Sequence, residues 1–301
     1  MRRLVLQSAF VFIATLGGSA SGHARILEDA VYVYDLFQPA SGCPELSARL
    51  RRLPLRSTVI LSIEQGPEFV LDHPHGEERL SCVLRFLRAS KRKAKALFLQ
   101  DVVFLERGDE VVRRATRLGE FVKRHPGVLA GVQVDVEPYG HERWKESSAA
   151  ERSRALGSLH ELLRRVRPHL RGLPLGAAIP WWYAGLAREL PEAAPEALFQ
   201  EADELYLMAY GDGDSTEGGD APTSLPARIA GAYGFSGAGR THVVLATYEF
   251  PSQNRLQAEL KKVRRALASR PNFAGTAVFH ANSGFQATAR GGSAMPPAGK
   301  R

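Results

Sequence analysis

Cysteine is scarce in this sequence, which has only Cys43 and Cys82 among its 301 residues. There is no Cys-x-x-Cys pair and no cluster of cysteine and histidine at zinc-ligand spacing, so the usual zinc modules are excluded. We therefore expect no bound metal. The two cysteines can form a disulfide in an exported protein. Whether their Cα atoms lie within bridging distance does not follow from the sequence, so both states stay open.

Long apolar runs are missing except near the N-terminus. There, two arginines precede an apolar stretch over 4–16, and Gly22-His23-Ala24 fits a small-x-small cleavage site. This order is typical of a secretory signal peptide, and the stretch is too short to span a bilayer comfortably. We predict a signal peptide over 1–24, export to the periplasm or cell exterior, and no stable membrane insertion afterwards. An uncleaved membrane anchor is the alternative.

Negative charge is in deficit, since 40 Lys and Arg face 32 Asp and Glu, for a net charge of +8. The basic residues are scattered along predicted helices, which favours solvated helix faces over a polyanion-binding groove. We expect no nucleic-acid partner. The densest basic cluster, over 91–95, precedes an apolar strand and could contact an anionic polymer.

A glycine-rich phosphate turn is also lacking. The text after the first predicted strand is DLFQPASG, and the string GFSGAG at 234–239 has the wrong spacing and precedes a strand. A doubly wound nucleotide-binding sheet needs such a turn between its first strand and helix, so this fold is disfavoured.

What the sequence does contain is an apolar strand followed by an amphipathic helix, repeated along the chain. The predicted strands cover 30–37, 57–66, 95–101, 127–138, 175–183, 204–212, 241–250 and 275–283. The predicted helices cover 45–52, 76–90, 109–124, 149–170, 225–233 and 255–269. Eight such units predict an α/β fold, a single-domain (β/α)8 TIM barrel over 25–286. The Gly/Pro/Ala-rich tail over 287–301 is expected to be disordered.

Polar and aromatic side chains gather at the predicted strand ends, where barrel enzymes carry their active sites. They are Asp35, Glu64, Asp101, Asp135, Glu137, Trp181, Trp182, Tyr210, Asp212, Glu249 and His280. Carboxylates supply acid–base chemistry and aromatic faces stack on sugar rings, so this set predicts a carbohydrate site.

The fourth strand, GVQVDVE, is the most informative segment. Its valines alternate with Gln133, Asp135 and Glu137, so the polar side chains should point toward the barrel axis. Two neighbouring carboxyls on one face can share a proton, which raises a pKa and keeps a general acid protonated near neutral pH. The alternative is a buried polar network that only braces the barrel.

These residues resemble glycoside hydrolase family 18, the chitinase-like barrels, whose fourth strand ends in a DxxDxDxE pattern. Asp135 and Glu137 match the last two acids, and Gln133 stands where the family has another Asp. The family's sixth strand ends in Met-x-Tyr and then an acid or amide. Here Met208-Ala209-Tyr210 matches, with Asp212 one residue late.

Two other family features are absent. His280 ends a Val-Phe-His segment where the family's eighth strand usually carries a Trp, and LFLQD replaces its third-strand Ser-x-Gly-Gly. We therefore expect a divergent relative. The resemblance implies a retaining, substrate-assisted mechanism without metal or cofactor. In it Glu137 protonates the glycosidic oxygen, Asp135 orients the attacking acetamido group, and Tyr210 donates a hydrogen bond to that group.

Alternatives stay open at several positions. Glu249, at the end of the seventh strand, is either the nucleophile of a double-displacement glycosidase or a salt-bridged rim residue. Trp181 and Trp182 are either sugar platforms or an aromatic plug. His280 either contacts substrate or pairs with a neighbouring acid, and the second interpretation is favoured. A barrel that binds glycans without cleaving them is a further possibility, as is a polysaccharide-associated scaffold.

Overall fold

The computed structural model describes residues 28–37, 41–53, 56–141, 144–210, 225, 228 and 239–279. The predicted signal peptide, the C-terminal tail, Asp212, His280 and most of the helix predicted over 225–233 lie outside these residues. Within the described ranges, no helix is long and apolar enough to cross a membrane.

Eight parallel strands form a closed barrel, which confirms the predicted (β/α)8 fold. Two further strands form a small separate hairpin. In chain order the strands are β1 (Glu28–Val33), β2 (Thr58–Ser62), β3 (Glu64–Gln65), β4 (Glu68–Phe69), β5 (Lys93–Phe98), β6 (Gly131–Val134), β7 (Leu175–Pro180), β8 (Glu204–Met208), β9 (Arg240–Ala246) and β10 (Phe273–Phe279). β3 and β4 make the antiparallel hairpin, and the other eight build the barrel, which closes where β1 pairs with β10.

Helices cover the outside of the barrel. They are α1 (Cys43–Arg51), α2 (Gly76–Ala89), α3 (Gly108–Arg124), α4 (Ala149–Val166), α5 (Tyr183–Leu186), α6 (Pro195–Leu198) and α7 (Gln253–Leu267). α4 begins at a capping box, in which the Ser148 side chain accepts from the Glu151 backbone while the Glu151 side chain accepts from Ser148. This pairing satisfies two backbone donors that the first helical turn leaves open.

The strands are shorter than their sequence pattern predicts, mostly at their carboxyl ends. The fourth was expected over 127–138 and covers only Gly131–Val134. Short 3-10 turns take over soon after three of the strands, at Val102–Leu105, Pro138–Gly140 and Thr247–Glu249. Apolar and β-branched residues continue into these turns and imitate strand. Asp135 and Glu137 therefore follow the strand instead of lying in it, which corrects the prediction.

The alternation predicted for the fourth strand is confirmed. Val132 and Val134 belong to the large apolar core between barrel and helices. Gln133 points the other way, into the barrel, where its amide donates to the Tyr32 hydroxyl at 2.7 Å. A second apolar cluster fills the barrel interior, namely Ala30, Tyr32, Ile60, Leu97, Tyr206, Val244 and Ala277.

Closure of the barrel depends on a glycine. Gly275 has φ +152°, and a Cβ atom placed on it would lie 2.0 Å from the carbonyl oxygen of Glu28 on the neighbouring strand. Because a real Cβ atom cannot approach an oxygen so closely, only glycine lets β10 pair with β1 at this point.

A buried ionic network occupies the amino ends of the strands. The Lys95 ammonium lies 2.7 Å from a Glu204 carboxyl oxygen and 3.2 Å from one of Glu28, and it donates to Tyr206 at 2.8 Å. Lys95 is 4% exposed, so the last member of the 91–95 basic cluster points into the barrel and is not available to a polymer. Burial lowers the pKa of the adjacent His242 to about 4, with the Lys95 charge adding to this effect.

Cys43 and Cys82 are joined by a disulfide, with Cα atoms 5.9 Å apart. The bridge connects the first residue of α1 to the middle of α2. The two cysteines are therefore bridged and not free.

Candidate active site

Asp135 and Glu137 lie together at the open end of the barrel, directly after β6. The backbone N–H of Asp135 donates to the Leu99 carbonyl at 3.3 Å, which ties this loop to the end of the neighbouring strand. Pro138 then begins a 3-10 turn, and Gly140 N–H donates to the Glu137 carbonyl at 2.8 Å. The loop therefore presents both carboxyls from a backbone that is held on both sides.

Both carboxyls are more basic than usual. Burial raises the pKa of Asp135, and the nearby charge of Glu137 raises it further. Burial also raises the pKa of Glu137, while a hydrogen bond from Tyr139 acts in the opposite direction. Two carboxyls in this situation retain one proton between them to higher pH than a free carboxyl would. The pair is thus equipped to donate and accept a proton near neutrality.

One oxygen of Asp135 is unused within the described part of the chain. Its Oδ1 is buried and has no hydrogen-bond partner among the described residues. A buried carboxyl oxygen without a partner is costly, and a bound ligand is one source of the missing donor. This oxygen fits an N–H or O–H group of a bound molecule.

An aromatic wall stands beside the two carboxyls. Tyr210 stacks on Phe279 with ring centroids 5.1 Å apart, and Tyr34 meets Phe279 edge-on at 5.4 Å. Burial, and next the Asp135 charge, raise the pKa of both Tyr210 and Tyr34 well above the usual range. The tyrosine hydroxyls therefore stay protonated and can donate hydrogen bonds. Because the Asp135 charge acts on Tyr210, these two predicted site residues lie near each other.

Tyr248 extends this wall toward solvent. Its ring meets Tyr210 edge-on at 6.1 Å, and the residue is 58% exposed. Among the described residues, Tyr248 is the large hydrophobic residue that is exposed to solvent. An exposed aromatic ring beside a polar cleft offers a flat face on which a sugar ring can stack.

Trp181 and Trp182 contact different neighbours. Trp182 packs edge-on against Tyr139 at 4.9 Å and against Tyr183 at 5.1 Å. The Arg228 guanidinium lies 6.0 Å from the Trp181 ring. Trp182 thus has the packing expected of an aromatic plug, and it contacts the tyrosine that hydrogen-bonds Glu137.

Glu249 forms an ion pair with Arg228, whose Nη1 lies 2.8 Å from Glu249 Oε1. Both side chains are largely buried. This matches the interpretation of Glu249 as a salt-bridged rim residue. As a nucleophile it would have to leave or share this partner while attacking the sugar.

Three other acids predicted at the site have different surroundings. Glu64 is buried in an ion pair with Arg114 at 2.6 Å, which joins the β3–β4 hairpin to α3. Asp101 is exposed and caps a 3-10 turn by accepting from Val103 N–H at 2.9 Å. The scaffold engages both carboxyls, and the substrate-binding roles of Glu64 and Asp101 stay predictions. Asp35 is exposed, and its charge contributes to the raised pKa of Tyr34. Asp35 therefore lies near the aromatic wall at the open end of the barrel.

Metal-type ligands cluster away from this site. Within the described ranges, Glu28, Glu204 and His242 bring ligand atoms close enough to hold an ion, and all three belong to the network at the amino ends of the strands. The Lys95 ammonium already lies between the two carboxylates. It supplies the positive charge that a metal would otherwise bring.

The sequence interpretation missed Tyr34, Tyr139, Tyr248 and Phe279. Tyr34 has the same parity as the inward-facing Tyr32, and Phe279 immediately precedes the predicted site residue His280. Tyr139 stands two residues after Glu137, and Tyr248 stands one before Glu249. Each lies within two residues of a position that the strand pattern had already singled out, so an aromatic count at the strand ends would have found them.

Neither a protein-family model nor a curated protein sequence matches this chain. Among solved structures, it is similar to a GH18 chitinase from Pseudoalteromonas aurantia, with 14% identity and a TM-score of 0.52 over 84% of this chain and 93% of that one. It is also similar to the exo-β-1,4-mannosidase Op5Man5 from Opitutaceae bacterium strain TAV5, with 14% identity and a TM-score of 0.53 over 85% of this chain and 52% of that one. At this identity the likeness shows the barrel fold.

Proposed function

We propose that this chain is a retaining glycoside hydrolase that uses Glu137 as its general acid and acts on a glycan bearing an acetamido group. The observation that carries the proposal is the half-buried Asp135–Glu137 pair at the open end of the barrel, with raised pKa values and an aromatic wall beside it. The solved structures of similar fold include a chitinase and a mannosidase, which supports a carbohydrate substrate.

In the proposed first step, the substrate's acetamido oxygen attacks the anomeric carbon while the glycosidic C–O bond breaks. Glu137 gives its proton to the leaving oxygen. Asp135, ionised once the shared proton lies on Glu137, stabilises the positive charge that develops on the acetamido group, and its unpartnered Oδ1 accepts the acetamido N–H. Tyr210, kept neutral by burial, donates a hydrogen bond to the same group.

In the second step, water attacks the anomeric carbon and reopens the cyclic intermediate. The Glu137 carboxylate takes the proton of this water, so the acid is regenerated and the sugar keeps its configuration. This cycle needs one shared proton between the two carboxyls at the start. The raised pKa values of both groups support this part of the proposal.

We also propose that residues 1–24 direct export. The two arginines, the short apolar stretch and the small-x-small site support it, and the Cys43–Cys82 disulfide suits an oxidising compartment. Mass spectrometry of the protein from the periplasm or medium should find a mature N-terminus near Arg25. An intact Met1 terminus on membrane-bound protein would contradict this.

The function is tested by incubating wild type and Glu137→Gln with β- and α-linked glycans that either carry or lack acetamido groups. Wild type should release reducing ends from an acetamido-bearing member, and Glu137→Gln should not. Binding of both proteins to such a glycan without turnover would instead identify a glycan-binding barrel. Turnover restricted to sugars without acetamido groups would contradict the substrate-assisted mechanism.

A further inference from the structure

Glu137 is held by a tyrosine that follows it in the same turn. The Tyr139 hydroxyl lies close enough to the Glu137 carboxyl to act on its pKa as a hydrogen-bond donor, and the 3-10 turn Pro138–Gly140 begins directly after Glu137. The residue between them is a proline, which fixes φ and limits how far this short segment can move. The backbone therefore helps to set the distance between hydroxyl and carboxyl.

The ring of Tyr139 is itself clamped. It meets Trp182 edge-on at 4.9 Å and Tyr183 at 6.2 Å, and these two rings contact each other at 5.1 Å. Tyr183 is fully buried, so this aromatic group rests on the core. A clamped phenol can deliver a hydrogen bond of fixed direction without a large loss of side-chain entropy on binding.

We propose that Tyr139 is a positioning residue that acts through Glu137: its hydroxyl holds the carboxyl in place and stabilises the carboxylate formed when the acid gives up its proton. This inference rests on the proposed function, because it assigns Tyr139 a part in the work of the same acid. Trp182 serves the site from behind Tyr139, as a brace and not as a sugar platform.

The consequence for acid strength has a definite sign. A hydrogen bond donated to the carboxylate favours the ionised form and so lowers the pKa of Glu137, against the rise caused by burial. The groups that face Glu137 electrostatically are Asp135, Tyr34, Tyr139, Tyr183 and Tyr210. Of these groups in the described part of the chain, Tyr139 is the one that hydrogen-bonds Glu137, so removing its hydroxyl should make Glu137 a weaker acid.

Tyr139→Phe removes only the hydroxyl and keeps the ring. Tyr183→Phe is the matched control, since it makes the same change in the same aromatic group, and burial and the Glu137 charge, not a hydrogen bond, account for its raised pKa. The full chain is labelled with ¹³C at the glutamate carboxyls, and Glu137→Gln identifies the Glu137 signal. Carboxyl titration is then followed by NMR in each variant, with circular dichroism to verify folding.

We expect Tyr139→Phe to raise the pKa of Glu137 by about one unit and Tyr183→Phe to move it by much less. On a cleaved glycan, Tyr139→Phe should lower kcat about tenfold, shift the alkaline limb of the pH profile upward and leave KM within about twofold. Equal shifts in the two variants, or no shift in either, would overturn the proposal. The titration needs no turnover, so it tests the role of Tyr139 even if no glycan is cleaved.

Discussion

Arg228 Nη1 lies 2.8 Å from Glu249 Oε1, and this ion pair separates the two mechanisms that the strand ends allow. A nucleophile in double displacement must present its carboxylate to the anomeric carbon, whereas Asp135 has a buried oxygen with no partner among the described residues. The chain thus engages one carboxylate in the scaffold and keeps the other available.

We therefore expect Glu249→Gln to retain most of the wild-type kcat, because Arg228 can still hydrogen-bond the amide oxygen. Asp135→Asn should lower kcat by about 10²-fold or more, since the developing positive charge loses its carboxylate. Initial rates of both variants on one glycan provide the comparison. A dead Glu249→Gln that azide reactivates, beside an active Asp135→Asn, would identify Glu249 as the nucleophile.

The site carboxyls should cost stability at alkaline pH. The folded-state pKa of Asp135 is raised, so its contribution to stability is full below its unfolded pKa and is lost as pH rises through the folded value. The difference in Tm between Asp135→Asn and wild type should therefore grow from pH 4 to pH 8, by roughly 2–4 °C for each kcal/mol relieved. Thermal melts at several pH values measure it.

Asp101→Asn is the control for this experiment, because Asp101 is exposed and an asparagine can keep the cap. Its Tm difference from wild type should stay nearly constant across the same pH range. A constant difference for Asp135→Asn as well would show that ionised Asp135 is not strained by burial.

The exposed ring of Tyr248 should contribute to substrate binding. Tyr248→Ala should raise KM about 2- to 10-fold with little change in kcat, since aromatic contacts contribute about 0.5–1.5 kcal/mol beyond the area they bury. Tyr248→Phe retains the ring face and should have a KM near that of wild type. If the alanine variant instead loses kcat at unchanged KM, Tyr248 is not a binding platform.

The network at the amino ends of the strands should matter for folding and not for chemistry. Lys95→Met removes the buried cation between Glu28 and Glu204 and leaves them the half-exposed Arg240, which should lower the free energy of unfolding by about 3 kcal/mol. Lys93→Met changes an exposed lysine two residues earlier in β5 and should stay within about 0.5 kcal/mol of wild type. Urea unfolding measures the free energy of unfolding of both variants. An equal change in the two would contradict a stabilising role for the Lys95 ion pairs.

Much of the architecture follows from the sequence, and the reason is visible in particular elements. The alternation in GVQVDVE predicted the inward face of β6 correctly, because a half-buried strand must separate polar from apolar side chains. The strand ends were placed too late, since Pro138 and its neighbours form a turn from residues that also suit a strand.

Partners far apart in the chain were not accessible from pattern alone. Lys95 meets Glu204 across 109 positions, and Arg114 meets Glu64 across 50. A lysine in a basic cluster looks solvated until its strand is placed in the barrel, and an acid at a strand end looks catalytic until its arginine is found. Gln133 shows the same limit, because its bond to Tyr32 depends on closure of the barrel.

The central claim, that Glu137 is the general acid, is tested most directly by varying the leaving group. Wild type and Glu137→Gln are compared on an acetamido sugar linked to another sugar and on the same sugar linked to 2,4-dinitrophenol. A sugar needs a proton to leave, whereas 2,4-dinitrophenolate leaves without one. The rate of bond cleavage by Glu137→Gln should therefore fall about 10²–10⁴-fold on the first substrate and far less on the second. Equal losses on both substrates, or near wild-type cleavage of the sugar–sugar bond, would contradict the account.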